Sequence, residues 1–68
     1  MINAVPRLSE ILKERSITQL QLAAMSGVPQ PSISRFDKNT RHEAAHLFAI
    51  SRALGVSIEE LFRVEADE

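Results

Sequence analysis

Two groups of side chains in this sequence have the types and spacing to do chemistry, and they ask different things of the fold. The first is His42-Glu43-Ala44-Ala45-His46, which spells H-E-x-x-H. On a helix, two histidines four residues apart share one face. Both can then ligate zinc, with the glutamate between them as general base. The second group is Gln30, Pro31, Ser34 and Arg35. If Ile33 and Phe36 point into a core, helical spacing turns these four outward. Glutamine pairs bidentately with adenine, and arginine with guanine, on base edges in the DNA major groove.

The zinc alternative is poorly supported by its surroundings. The extended form of the motif needs glycine and histidine where Ala49 and Arg52 stand. A third ligand from Glu59, Glu60 or Glu65 is formally available, but 68 residues scarcely build a substrate cleft around a metal. Each residue also has a plainer role. Glu43 completes a capping box with Thr40, His42 sits in an exposed first turn, and His46 packs half-buried on the face of Ile50. No Gly-rich phosphate loop and no G-x-S-x-G elbow occurs. The expectation is a non-enzymatic chain with no metal and no cofactor.

The elements that must position the second group follow from start and stop signals. Leu8, Ile11 and Leu12 recur at helical spacing behind Pro6, so a first helix is expected over about 6–15. Thr18 with Gln21 forms a capping box that opens a second helix, and Gly27 stops it. Pro29 and Pro31 fit only a first turn, so a third helix runs from there to about Phe36. Thr40 with Glu43 opens a fourth that ends at Gly55, and Ser57 with Glu60 opens a short fifth carrying Ile58, Leu61 and Phe62. No strand-length alternation is recognised. The fold class expected is all-α, a five-helix domain over 1–64 with an acidic tail at 65–68.

Only Ser26, Gly27 and Val28 join the second and third helices, which forces the sharp crossing of a helix-turn-helix over about 18–36. The charge distribution agrees with an anionic partner on that side. Residues 1–41 carry six basic and three acidic side chains, whereas 42–68 carry two and six. The net charge of −1 therefore averages two unlike halves. With no cysteine, disulfides and thiolate metal sites are excluded as staples for so short a chain, so a dimer is expected. No transmembrane run and no signal peptide is visible, and a cytoplasmic protein is expected.

At this point the sequence resembles a known family. TQLQLAAMSGVPQPSISRF, residues 18–36, is similar to the helix-turn-helix of XRE/Cro-type phage repressors, whose pattern is T-Q-x-x-L-A-x-x-x-G-V-x-x-x-x-I-S-R. ISRALGVSIEELF, residues 50–62, is similar to that family's later helical segment. The resemblance spans about residues 7–62 and implies a compact lambda-repressor-like domain that binds double-stranded DNA as a small transcriptional regulator. It implies base contacts from Gln30, Pro31, Ser34 and Arg35. Backbone contacts are implied from Thr18, Gln19, Ser32, Lys38, Asn39 and Arg41.

Two departures from the family pattern carry expectations of their own. Leu12 and Asp37 stand where the family often has an arginine–glutamate pair, so Asp37 is expected to pair with Lys38 or Arg41. Leu20 and Met25 take positions on the second helix that are more usually polar. A homodimer is expected through Val56, Ile58, Leu61, Phe62 and Val64, some of which must close the core instead. The runner-up is a helix-turn-helix protein-interaction module that meets a regulatory protein partner through Leu20 and Met25.

Overall fold

The segment order in the computed structural model is β1 (Ile2–Pro6), α1 (Leu8–Glu14), α2 (Gln19–Ser26), α3 (Gln30–Arg35), α4 (Ala44–Leu54), a 3-10 turn (Ile58–Leu61) and β2 (Phe62–Ala66). The structure describes residues 2–66, with side chains over 3–65. Leu8, Ile11 and Leu12 of α1 meet Leu22, Val28, Ile33, Phe36, Ile50, Leu54 and Leu61 in one core. Burying each such aliphatic side chain is worth about 1.5–3 kcal/mol. This core fixes α2 and α3 against α1 and α4.

The helix-turn-helix forms as its signals require. The Gln21 N–H donates to Thr18 Oγ1 at 3.1 Å and the Thr18 N–H to Gln21 Oε1 at 2.8 Å, a complete capping box. Gly27 ends α2 at φ 77°, the left-handed conformation that a side chain disfavours. Leu22 below the cap is fully buried.

Six expectations are corrected. The domain is not all-α, because β1 and β2 pair antiparallel from Ile2↔Ala66 to Pro6↔Phe62. The alternation Phe62-Arg63-Val64-Glu65 is the period of a strand, so the fifth helix shrinks to the single turn Ile58–Leu61. Glu65 and Ala66, expected in an acidic tail, lie in β2, and 67–68 fall outside the described residues. Pro6 ends a strand and does not start a helix. It sits where the ladder needs no donor, while the next N–H, that of Arg7, donates to the Leu61 carbonyl at 2.9 Å.

Thr40 and Glu43 make no capping box: α4 starts at Ala44, with Glu43 as its N-cap and no side-chain cap hydrogen bond. Instead the Glu43 carboxylate reaches His46 Nε2 at 3.4 Å. Asp37 pairs with neither Lys38 nor Arg41. Its Oδ1 accepts the Leu8 N–H at 2.8 Å and its Oδ2 the Ser9 N–H at 3.1 Å and the Ser9 hydroxyl, so it caps α1 from across the fold. Leu12 is buried in the core beneath that helix. A tie between the first helix and Asp37 therefore exists, made by main-chain donors.

Candidate nucleic-acid interface

The two proline-bearing positions and the glycine turn set α3 across the start of α2. Pro29 is the N-cap of α3 and Pro31 occupies its first turn, where a missing N–H costs nothing. Ile33 and Phe36 are buried. Pro31, Ser34 and Arg35 are exposed and Gln30 is half-buried, so the four candidate base readers occupy the side of α3 away from the core.

Gln30 and Gln19 are the first residues of α3 and α2, and their side chains touch. Gln30 Nε2 donates to Gln19 Oε1 at 3.1 Å. An amide carries two donors and one acceptor, so Gln30 keeps one N–H and its carbonyl for another partner. Gln19 keeps its whole amide nitrogen. At the same end of α2, Thr18 Oγ1 is occupied by the cap but its hydroxyl proton is not. The N–H groups of Gln19 and Leu20, in the first turn, have no intrahelical acceptor.

Beyond α3 the chain turns, with the Lys38 and Asn39 N–H groups donating to the Arg35 carbonyl at 3.0 and 3.1 Å. Ser32, Asn39 and Arg41 come together on one cavity of about 240 Å³, which His42, Glu43 and His46 also line. Lys38 faces a different cavity, beside Asp37 and Thr40. Among the described residues, Arg35, Lys38 and Arg41 lie within 4.0 Å of no carboxylate, whereas Arg7 and Arg63 are both paired. Lys13, Arg15 and Arg52 are likewise unpaired among the described residues, so α3 and the loop that follows it hold three of six such cations.

The histidine motif takes a form that a one-face reading of the sequence misses. His42 precedes α4 and is half-buried, not exposed on a first turn. Its ring lies 4.2 Å from that of Phe36 and 5.7 Å from that of Phe62, with Nε2 at 2.8 Å from the Phe36 carbonyl oxygen. His42 and His46 therefore do not share a helix face. Among the described residues no three His, Asp or Glu side chains are grouped to hold a metal ion. His42 is a packing residue that locks the loop after α3 against the core.

The candidate contact residues of the C-terminal part separate. Leu61 is fully buried within the single chain and closes the core, Val56 and Phe62 pack half-buried against it, and Ile58 is half-buried. Val64 is 62% exposed. Leu20 and Met25 are exposed on α2, and Phe48, which the sequence did not single out, is exposed on α4. No helix is long and apolar enough to cross a membrane among the described residues.

Comparison with known proteins was made on this geometry. No curated protein and no solved structure matches the chain. A family model described as a Cro/C1-type HTH DNA-binding domain matches residues 7–67, which takes in α1 to α4, the 3-10 turn and β2. The chain belongs to the Cro/C1-type helix-turn-helix DNA-binding domains.

Proposed function

We propose that this protein is a sequence-specific transcriptional regulator, acting as a repressor and binding a pseudo-palindromic operator as a two-fold dimer. The α3 helix of each subunit enters one of two successive major grooves, about 34 Å apart. Gln30 reads an adenine with its free N–H and carbonyl, and Arg35 reads a guanine. Pro31 and Ser34 fill the same groove, Pro31 by apolar contact and Ser34 by its hydroxyl. Thr18, Gln19, Ser32, Lys38, Asn39 and Arg41 hold the phosphates on either side and set the register of α3.

The observation that carries this reading is the Gln19–Gln30 hydrogen bond. It joins a phosphate-side residue to a base-side residue, so the amide is fixed in place before DNA arrives. Pre-ordering a long side chain removes part of the entropy that docking costs. Such a protein works in the cytoplasm, on the nucleoid. The test is selection from random duplex DNA followed by a salt titration of the recovered site. An enriched inverted repeat whose binding weakens steeply with salt supports the proposal, and recovery of no repeat overturns it.

A further inference from the structure

The DNA reading uses Lys38 but not the cavity that this residue faces. That cavity has a volume of about 320 Å³, at the lower end of the range for small-molecule sites. Three segments enclose it. Ala4 and Pro6 come from β1, Phe62 from the start of β2, and Lys38 and His42 from the chain between α3 and α4. Part of the lining is aromatic and held in place. The His42 ring lies 4.2 Å from that of Phe36 and 5.7 Å from that of Phe62, and the Phe36 and Phe62 rings are 5.9 Å apart. Phe36 is buried and anchors the other two, while the hydrogen bond between His42 Nε2 and the Phe36 carbonyl fixes the imidazole plane.

The rest of the lining is cationic, because its one acid is already engaged. Asp37 Oδ1 accepts the Leu8 N–H, and Asp37 Oδ2 accepts the Ser9 N–H and hydroxyl, so the carboxylate serves α1. Lys38 lies within 4.0 Å of no carboxylate among the described residues. Its N–H donates to the Arg35 carbonyl at 3.0 Å, so the main chain is held while the ammonium is free. A flexible four-carbon stem carries that ammonium either outward to a phosphate or over the cavity. The Thr40 hydroxyl, on the same lining, adds one donor. Fixed rings beside one unpaired cation and a hydroxyl complement a flat apolar body that ends in a single negative group.

We propose that this cavity binds a small aromatic carboxylate, its ring against Pro6, His42 and Phe62 and its carboxylate on the Lys38 ammonium. Ring against ring gains more than the buried area alone, which favours an aromatic body over an aliphatic one. Lys38 is also a phosphate contact in the DNA reading, and one ammonium does not serve both anions. Occupancy therefore weakens DNA binding, and DNA weakens the ligand by the same factor. The ligand is an inducer. Its binding stands on the cavity alone, and only the coupling rests on the DNA reading above.

Titrating benzoate into the full chain at constant ionic strength, followed by amide NMR, tests the binding. Saturable shifts are expected from Lys38 to Thr40 and around Phe62. Benzyl alcohol keeps the ring without the charge, and inorganic phosphate keeps a charge without the ring, so both bind more weakly. Lys38→Gln weakens benzoate by about tenfold, to the level of benzyl alcohol. Ala4→Phe fills the cavity and removes the shifts while leaving DNA affinity as it was, and circular dichroism checks that both variants fold. Benzoate that does not saturate, three probes that bind alike, or a Lys38→Gln variant that binds like the wild type overturns the proposal. For the coupling, saturating benzoate should raise the dissociation constant of the selected duplex by about fivefold or more in the wild type and not in Lys38→Gln. Benzoate that binds without changing duplex affinity overturns the inducer role. A benzoate site in a protein that selects no sequence sinks only the DNA reading, and an enriched repeat bound by a protein that takes no benzoate sinks only this one.

Discussion

Gln30 Nε2 donates to Gln19 Oε1 at 3.1 Å, so the first residue of α3 is held by the first residue of α2. On the DNA reading proposed above, the contact makes Gln19 a positioning residue for base readout as well as a phosphate contact. Gln30→Ala is expected to lose about 1–3 kcal/mol of discrimination at one base pair. Gln19→Ala should lose part of that preference, whereas Gln19→Glu keeps an acceptor for Gln30 and repels phosphate. Competition binding with single-base operator variants checks this. Equal base preference in Gln19→Ala and the wild type would show that the contact does not position Gln30.

Arg41 and Lys38 stand beyond reach of any described carboxylate, on the loop after α3. Replacing either by alanine should weaken binding to every duplex alike and reduce the slope of log K against log salt by about 1. Binding isotherms at four or five salt concentrations measure the slope. A change confined to one operator base would assign the residue to readout instead.

Asp37 supplies the N-terminal cap of α1 from 28 and 29 residues away. Asp37→Ala leaves main-chain donors of Leu8 and Ser9 without that acceptor and should cost about 1–2 kcal/mol of stability. Asp37→Asn retains one acceptor oxygen and should cost less. Urea denaturation with a shared m-value gives both numbers.

Leu61 and Val64 lie three residues apart with opposite surroundings. Leu61→Ala empties a fully buried position and is expected to destabilise by about 2–5 kcal/mol. Val64→Ala changes an exposed position and should leave the stability of the monomer within about 0.5 kcal/mol. Thermal unfolding of both variants at one dilute concentration distinguishes them.

His42 and His46 are engaged with Phe36 and Glu43 respectively. A strong chelator is therefore expected to leave both Tm and DNA affinity unchanged. A drop in either on chelation would restore the H-E-x-x-H motif as a metal site.

The helix-turn-helix was legible because every signal that builds it is local. Thr18 caps a residue three positions on, Gly27 takes a conformation few residues accept, and Pro29 and Pro31 tolerate only a helix start. The features missed are those whose partner is distant in sequence. β2 alternates apolar and polar residues over a few positions, but its partner strand begins over fifty residues earlier, with no hairpin turn to announce it. Asp37 gives no local sign that it caps α1. Thr40 and Glu43 have the spacing of a capping box, but the His42 ring between them turns inward onto Phe36 and the helix starts later. The outward face of α3 was visible from periodicity. Its hydrogen bond to Gln19 depends on the angle between two helices, which no spacing rule contains.

The β1–β2 ladder joins residues 56 to 64 positions apart, whereas the contacts of the α2–turn–α3 unit are between near neighbours. Loop-closure entropy makes such distant pairings slow to form, so the ribbon is expected to close after the local α2–turn–α3 unit. Opening is expected to begin at the ribbon. A transient state that has lost only the ribbon keeps α3 and its glutamine pair assembled while releasing Arg7 from Leu61. Amide exchange should accordingly be faster in β1 and β2 than in α4, and the α2–turn–α3 unit should outlast the ribbon that ties the chain's ends together.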